Sequence, residues 1–367
     1  MTSTKPMLLR DRDAIVTGEN VIFRVYGYAH PPNAFVCDPE YAPENLYHSL
    51  SQKAYRKGVK QKTVYYKFYF DEGLRFIQKN YPQHTIFYAP LRKHMVGVKK
   101  ANIKKIRKPK TKFKRLMSNP PKDTLVKSLQ ELYNTLKTTG NMAISDFGVF
   151  GSLLHGFHNP KFSDLDLIIY GRKKLETLRE LLKSLYEDKH GFFRNEFENK
   201  DAIKAKQWQF RNYSAKEFLW HQRRKLIYGL WKSPICRRTV KVEFEPVKDW
   251  KEINNEYTKQ LQITRKGWIK ATARVIDAND APFMPAIYKI EPLKVWSEAK
   301  VDNIQRVLSY VEEFRMQAEK DEIVYVEGNL EKVTTATGSF HQITLSYGPR
   351  YFEQVLKVKK QQVKREP

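Results

Sequence analysis

Residues 147–170 read Phe-Gly-Val-Phe-Gly-Ser-Leu-Leu-His-Gly-Phe-His-Asn-Pro-Lys-Phe-Ser-Asp-Leu-Asp-Leu-Ile-Ile-Tyr. An apolar run ends on Gly151-Ser152, and a polar loop with His155, His158, Asn159 and Pro160 follows. A second apolar run then opens on Ser163-Asp164-Leu165-Asp166. In a strand, side chains alternate with a period of two, so Asp164 and Asp166 project from one face. Two neighbouring carboxylates repel and raise each other's pKa unless a cation lies between them. Hard oxygen donors at this spacing suit Mg²⁺, or Mn²⁺ in its place, with substrate phosphate oxygens completing the shell. Gly151 has no Cβ to keep a ligand away, and Ser152 offers a hydroxyl at a predicted helix start, an end that attracts anions. The stretch predicts a phosphate cradle beside a metal holder, with Gly151, Ser152 and Ser163 on the phosphate side.

Composition bounds the rest. A chain of 367 residues, 41% hydrophobic with 21 Tyr and 21 Phe, is long enough for two or three packed domains. Two cysteines, Cys37 and Cys236, are too few for a disulfide framework or a zinc site. No apolar run approaches the roughly 20 residues that span a bilayer, and Met1–Arg10 has no signal-peptide core, so a cytoplasmic location without a membrane partner is expected.

The formal charge of +27 is localised. Residues 51–150 hold 23 Lys/Arg against 5 Asp/Glu, whereas residues 1–50 and 301–367 are close to neutral, and no acid occurs between Glu72 and Asp123. Such a run points to a polyanionic partner. Its densest part is Lys99, Lys100, Lys104, Lys105, Arg107, Lys108, Lys110, Lys112, Lys114 and Arg115, interrupted by Pro109. It reads as a loosely packed arm whose use is phosphate contact.

Around these segments the chain is organised in blocks. Residues 1–97 form a β-rich domain: a hairpin turns at Gly18-Glu19-Asn20, an aromatic strand runs over 63–70, and a helix follows over 71–80. A basic linker spans 98–122. A helix from Asp123 to Leu136, capped by Asp123, opens a central domain over 123–260. Within it a helix over 174–186 follows the acidic strand. Arg223-Arg224-Lys225, near Trp208 and Trp220, could clamp a triphosphate or a nucleic-acid backbone, or could be an ordinary basic helix surface. Residues 239–247 alternate as a strand with Glu243 and Glu245 on one face. Residues 261–356 form a second β-rich module, a small barrel or α+β unit with a helix over 301–317, and 357–367 is a basic tail.

The Gly151-Ser152 and Ser163-Asp164-Leu165-Asp166 pair resembles the signature of the DNA polymerase β-like nucleotidyltransferase superfamily. Together with residues 22–32, 220–225 and 326–331, the chain resembles a group of archaeal predicted nucleotidyltransferases. The resemblance implies an α/β (α+β) nucleotidyltransferase core with a mixed sheet, flanked by β-rich N-terminal and C-terminal modules. It also implies metal-dependent transfer of a nucleoside monophosphate from an NTP to a hydroxyl, with loss of pyrophosphate. The basic segment and the aromatic content of the chain add a nucleic-acid acceptor, RNA or single-stranded DNA rather than a long duplex. The superfamily needs a third carboxylate on a neighbouring strand; Glu243 resembles that position, with Glu245 as the alternative, although most relatives use Asp there. Asp164, Asp166 and Glu243 are thus the implied catalytic and metal-holding set. Two other functions remain compatible: a non-catalytic nucleic-acid-binding protein on the same scaffold, and a transferase that modifies a protein or small molecule.

Overall fold

A computed structural model describes residues 7–58, 63–188, 191–198, 208–258, 260–297, 301–348 and 350–359. The chain divides into two compact units: residues 1–88, 92–194 and 229–257 form the first, and 89–91, 195–228 and 258–367 the second. The described residues build three sheets. None of their helices is long and apolar enough to cross a membrane.

The first unit opens with β1 (Ala14–Thr17) and β2 (Ile22–Val25), the expected hairpin, with Asn20 at φ 65° in its turn. The sheet continues with β3 (Ala34–Pro43), β4 (Tyr55–Arg56), β5 (Tyr65–Lys67), β6 (Thr85–Tyr88), β7 (Lys93–Lys99) and β8 (Ile103–Arg107). Helix α1 (Glu72–Asn80) follows the aromatic strand.

The second sheet of this unit holds the acidic motif. Its order is β11 (Phe193–Asn195), β12 (Tyr228–Ser233), β13 (Arg238–Val247), β10 (Leu165–Tyr170), β9 (Phe147–Val149). Strand β10 runs parallel to β13 and antiparallel to β9, so the sheet is mixed. Both faces of β10 are covered, which is why it is apolar almost throughout: Leu165, Leu167 and Ile169 on one face and Ile168 and Tyr170 on the other are all buried. Asp166 is the exception. The helices are α2 (Pro109–Met117), α3 (Thr124–Gly140), the single turn α4 (Gly151–His155) and α5 (Arg172–Glu187). Asp123 caps α3 by accepting from the Val126 N–H at 3.0 Å, and His158 Nε2 donates to its other oxygen at 2.9 Å.

The basic segment is not the loosely packed arm that its composition suggests. Residues 103–107 are β8, paired with β1, and residues 109–117 are α2. Pro109 opens that helix, where its missing N–H costs nothing. Phe113 is 1% exposed and meets the rings of Tyr133 at 5.4 Å and Phe147 at 5.6 Å. A Cβ on Gly148 would stand 3.0 Å from that of Pro109, so the bare glycine lets α2 lie directly on β9. The N-terminal sheet, the basic segment and the motif sheet therefore belong to one unit rather than to separate blocks.

The second unit contains α6 (Ala215–Lys225) and the strands β14 (Gln262–Asp280), β15 (Ala286–Trp296), β16 (Ile304–Ser309), β17 (Ile323–Thr335), β18 (Gly338–Leu345) and β19 (Val355–Val358). The helix expected over 301–317 is instead β16 and a short turn at Glu312–Phe314. Ile304, Val307 and Leu308 fit a helical spacing, but pairing with β15 and β18 overrides it. The predicted basic tail begins inside β19, and its part beyond residue 359 lies outside the described residues.

Phe113→Ala removes a buried aromatic and is expected to cost about 3–5 kcal/mol in urea unfolding. A cost below about 0.5 kcal/mol would return this segment to the status of a loose connector.

Candidate active site

The Gly-Ser corner and the acidic strand meet where β9 and β10 pair. Phe150 donates its N–H to the Asp166 carbonyl at 3.1 Å, so the chain turns into α4 beside Asp166. Gly151 has φ +58°, and a Cβ built on it would stand 2.5 Å from Asp166 Oδ2. Glycine alone accepts both the conformation and the contact. Helix α4 is only five residues long, too short to support the anion attraction that the sequence suggests for a helix start. Ser163 shapes the approach to the acids: its Oγ accepts from the Asn159 N–H at 2.9 Å, and its carbonyl accepts from Arg238 at 2.5 Å.

Asp166 and Glu243 are direct partners in the parallel β10–β13 register, and Ile168 faces Glu245. The two glutamates have different surroundings. Glu245 is 2% exposed and accepts a 2.7 Å ion pair from Arg12, itself 3% exposed. Glu243 is partly buried on the same strand face, directly beside Asp166. Of the two carboxylates considered for the third position, Glu245 is held by Arg12 and its charge acts on Asp166, while Glu243 is the register partner of Asp166.

Asp166 is partly buried, and its carboxyl is pushed up to about 6. Desolvation is the largest cause; the charges of Asp164 and Glu245 act in the same direction, against Lys67 and Lys241. Ionised, this carboxylate calls for a cation. Hard oxygen donors of this kind fit a divalent ion such as Mg²⁺, although no group of three or more Asp, Glu, His or Cys side chains among the described residues is gathered closely enough to hold one alone. A substrate's phosphate oxygens would have to complete such a shell.

Several residues around this corner escaped the sequence reading. Arg10, Asp11, Arg12 and Asp13 are each under 5% exposed, a charged loop inside the protein. Arg10 donates to the Lys248 carbonyl at 2.9 Å and lies 3.8 Å over the ring of Tyr170. Arg12 also lies 5.4 Å from the ring of Phe150, the residue before Gly151. Asp13 takes 2.6 Å from Lys108 Nζ, and Gly27 N–H donates to Asp11 at 2.8 Å. Their sequence signal was the Arg-Asp-Arg-Asp alternation directly before the apolar β1. Lys241 was legible by period two from Glu243.

The basic residues separate by environment. Lys99, Lys104, Lys105, Lys110, Lys114 and Arg115 are exposed on β7, β8 and α2, and Lys100 is partly buried after β7. Lys108 is held by Asp13. Arg107 donates to buried His155 Nδ1 at 2.9 Å, which ties β8 to α4. Lys112 is pushed down to about 8 by burial and then by Arg115, Lys122 and Arg107, a concentration of positive charge. The proposed clamp fares differently, because Arg223, Arg224 and Lys225 lie on α6 in the second unit. There Arg224 pairs with Glu322 at 2.8 Å, and Lys225, 1% exposed, donates to the Glu313 carbonyl at 2.8 Å. These two serve the packing of that unit, and only Arg223 is exposed.

Replacing Arg12 by Met leaves Glu245 buried without its cation and is expected to cost about 3–5 kcal/mol; R12M/E245L should recover most of the loss. Urea denaturation of the two single variants and the double variant measures the coupling, and additive costs would contradict a direct pair.

Residues 124–228 match the family described as nucleotidyltransferase domain. The match starts at α3 and ends before β13, although the structure places β13 in the same sheet. Among curated proteins, an uncharacterized protein of Methanocaldococcus jannaschii is 25% identical over 365 residues, covering 96% of this chain and all of the relative. No solved structure matches the chain significantly. Gly151, Ser152, Asp164 and Asp166 thus lie within a stretch similar to nucleotidyltransferase domains, the likeness that the acidic motif suggests.

Proposed function

We propose that the protein transfers a nucleoside monophosphate from an NTP to a hydroxyl of a nucleic acid, releasing pyrophosphate. The observation that carries this reading is the contact of Gly151 with Asp166, which joins a glycine-serine corner to an acidic strand inside a stretch similar to nucleotidyltransferase domains. Asp164 and Asp166 would hold Mg²⁺ or Mn²⁺, with Glu243 beside Asp166 on the neighbouring strand. When bound, the ion would neutralise charge on the entering and leaving oxygens. Gly151 and Ser152 would take the β and γ phosphates, the bare Cα allowing close approach. Glu243 would accept the proton of the attacking hydroxyl as that oxygen bonds to the α-phosphorus and the bond to pyrophosphate breaks. Lys67 and Lys241 offset part of the negative charge around Asp166. The exposed lysines of β8 and α2 would hold the acceptor's phosphates, since α2 lies on the sheet that bears the motif.

A glutamate where relatives use aspartate favours one second reading, a nucleic-acid-binding protein that keeps the scaffold without the reaction. One experiment separates them. With labelled NTP, Mg²⁺ or Mn²⁺ and an RNA acceptor, the native chain is expected to incorporate label, and D164A/D166A to fall at least about 10³-fold while binding RNA with unchanged affinity. Incorporation by the double variant would refute the assignment of the acids, and none by the native chain would favour the second reading. Gly151→Ala, which strains φ and displaces Asp166, should lose activity by a similar factor.

A further inference from the structure

The strands of the second unit close on themselves. Strand β14 pairs with β15 and β17, β15 with β16, β16 with β18, and β18 with β17. The cycle β14-β15-β16-β18-β17 is a five-stranded barrel, antiparallel except between β16 and β18. That arrangement is shared with the oligonucleotide- and oligosaccharide-binding barrels. A shared topology does not assign a ligand; the outer surface supplies the argument.

Ile269, Ala271, Ala273 and Val275 fill the interior, so Trp268, Lys270, Thr272 and Arg274 point away from it; Lys270 and Arg274 are exposed, Trp268 lies under Arg350 at 3.7 Å, and Thr272 is buried. Register places Trp296 and Glu327 on either side of Lys270, and Lys294 and Tyr325 on either side of Thr272. Trp296 is 43% exposed, an indole presented outward on a strand face. Lys294 Nζ sits 5.0 Å from its ring, and Tyr325 lies 6.5 Å away at 64°.

The surface charge is suited to phosphate. No acid occurs between Glu256 and Asp277, a stretch that carries Lys259, Arg265, Lys266, Lys270 and Arg274. On this face Glu327 is taken up by Lys270 at 3.3 Å and by Trp268 Nε1 at 2.9 Å, while Glu291 stands opposite Arg274. Beside the Lys294–Trp296 end lies an open groove of about 580 Å³, whose lining includes Ile276, Lys289, Glu291, Pro292, Val295 and Asp302, so the basic part of this face is the strip of Lys270 and Lys294 rather than the groove itself. An exposed indole flanked by lysines on a strand face is what the stacking of an unpaired base and contact with its phosphate require. A duplex offers no open base faces.

We propose that the outer face of β14 and β15, centred on Trp296, Lys270 and Lys294, is a binding site for single-stranded nucleic acid. It holds the acceptor strand of the proposed transfer, and so rests on that reading for its purpose but not for its chemistry. The test uses the full chain without NTP and a fluorescent 12-nucleotide oligouridine, followed by anisotropy. W296A is expected to weaken binding about tenfold, W296F to keep most of it, and K294E to flatten the salt dependence by roughly 0.7 per lost phosphate contact. Zero-length photocrosslinking of a 4-thiouridine oligomer to the native chain should label the peptide that contains Trp296, a readout that no misfolded variant can mimic. Unchanged affinity of W296A together with an unchanged salt dependence of K294E, or crosslinks confined to β8 and α2, would overturn the proposal. The two readings fail separately: an inactive native chain that still crosslinks at Trp296 keeps the barrel site, and an active W296A chain with native affinity keeps the transferase.

Discussion

The Asp166 carboxylate lies against the bare Cα of Gly151, and much of the first unit is arranged to allow that contact. The positive φ of Gly151 and the missing Cβ are two halves of one requirement. The β9–β10 pairing brings the corner to the acid, and the parallel β10–β13 pairing sets Glu243 beside it. Burial makes the carboxylate costly to ionise, and its neighbours on one side add to that cost. Such a group is stable as an anion only with positive charge close by.

The N-terminal sheet supplies some of that charge and much of the rigidity. Arg12 reaches Glu245 from 233 residues away in the chain, and Lys67 is among the charges that act on Asp166. Arg107 joins β8 to His155 in the turn after the Gly-Ser corner. Ala14, Val16, Ile22, Tyr41 and Tyr65 pack in one cluster with Leu154 and Phe157. A domain that looks like an appendage in the sequence is therefore part of the wall of the site. Burying the Arg-Asp-Arg-Asp loop is tolerable because each charge finds a partner or a ring face.

The motif was legible because local rules suffice for it: period two put both acids on one face, and a glycine before a serine marked a close approach. Asp123 as a helix cap and the hairpin at Asn20 were readable for the same reason. Arg12 was not, since its meaning depends on Glu245 and Phe150, which only the fold brings near. The α2 segment misled because ten basic residues outweighed Phe113 in composition, whereas one buried ring decides where the helix sits. Residues 304–309 misled in the opposite way, because an apolar spacing that suits a helix also suits a strand when the barrel needs one. Arg224 and Lys225 looked like ligand contacts until Glu322 and the Glu313 carbonyl were seen to occupy them.

The most direct test is crystallographic. Crystals of the native chain grown with Mn²⁺ and a non-hydrolysable NTP analogue, measured at the manganese absorption edge, locate the ion independently of any assay. The account predicts an anomalous peak about 2.1–2.2 Å from carboxylate oxygens of both Asp164 and Asp166, with the triphosphate running past Gly151. A nucleotide bound elsewhere, or a metal that touches neither acid, would contradict it.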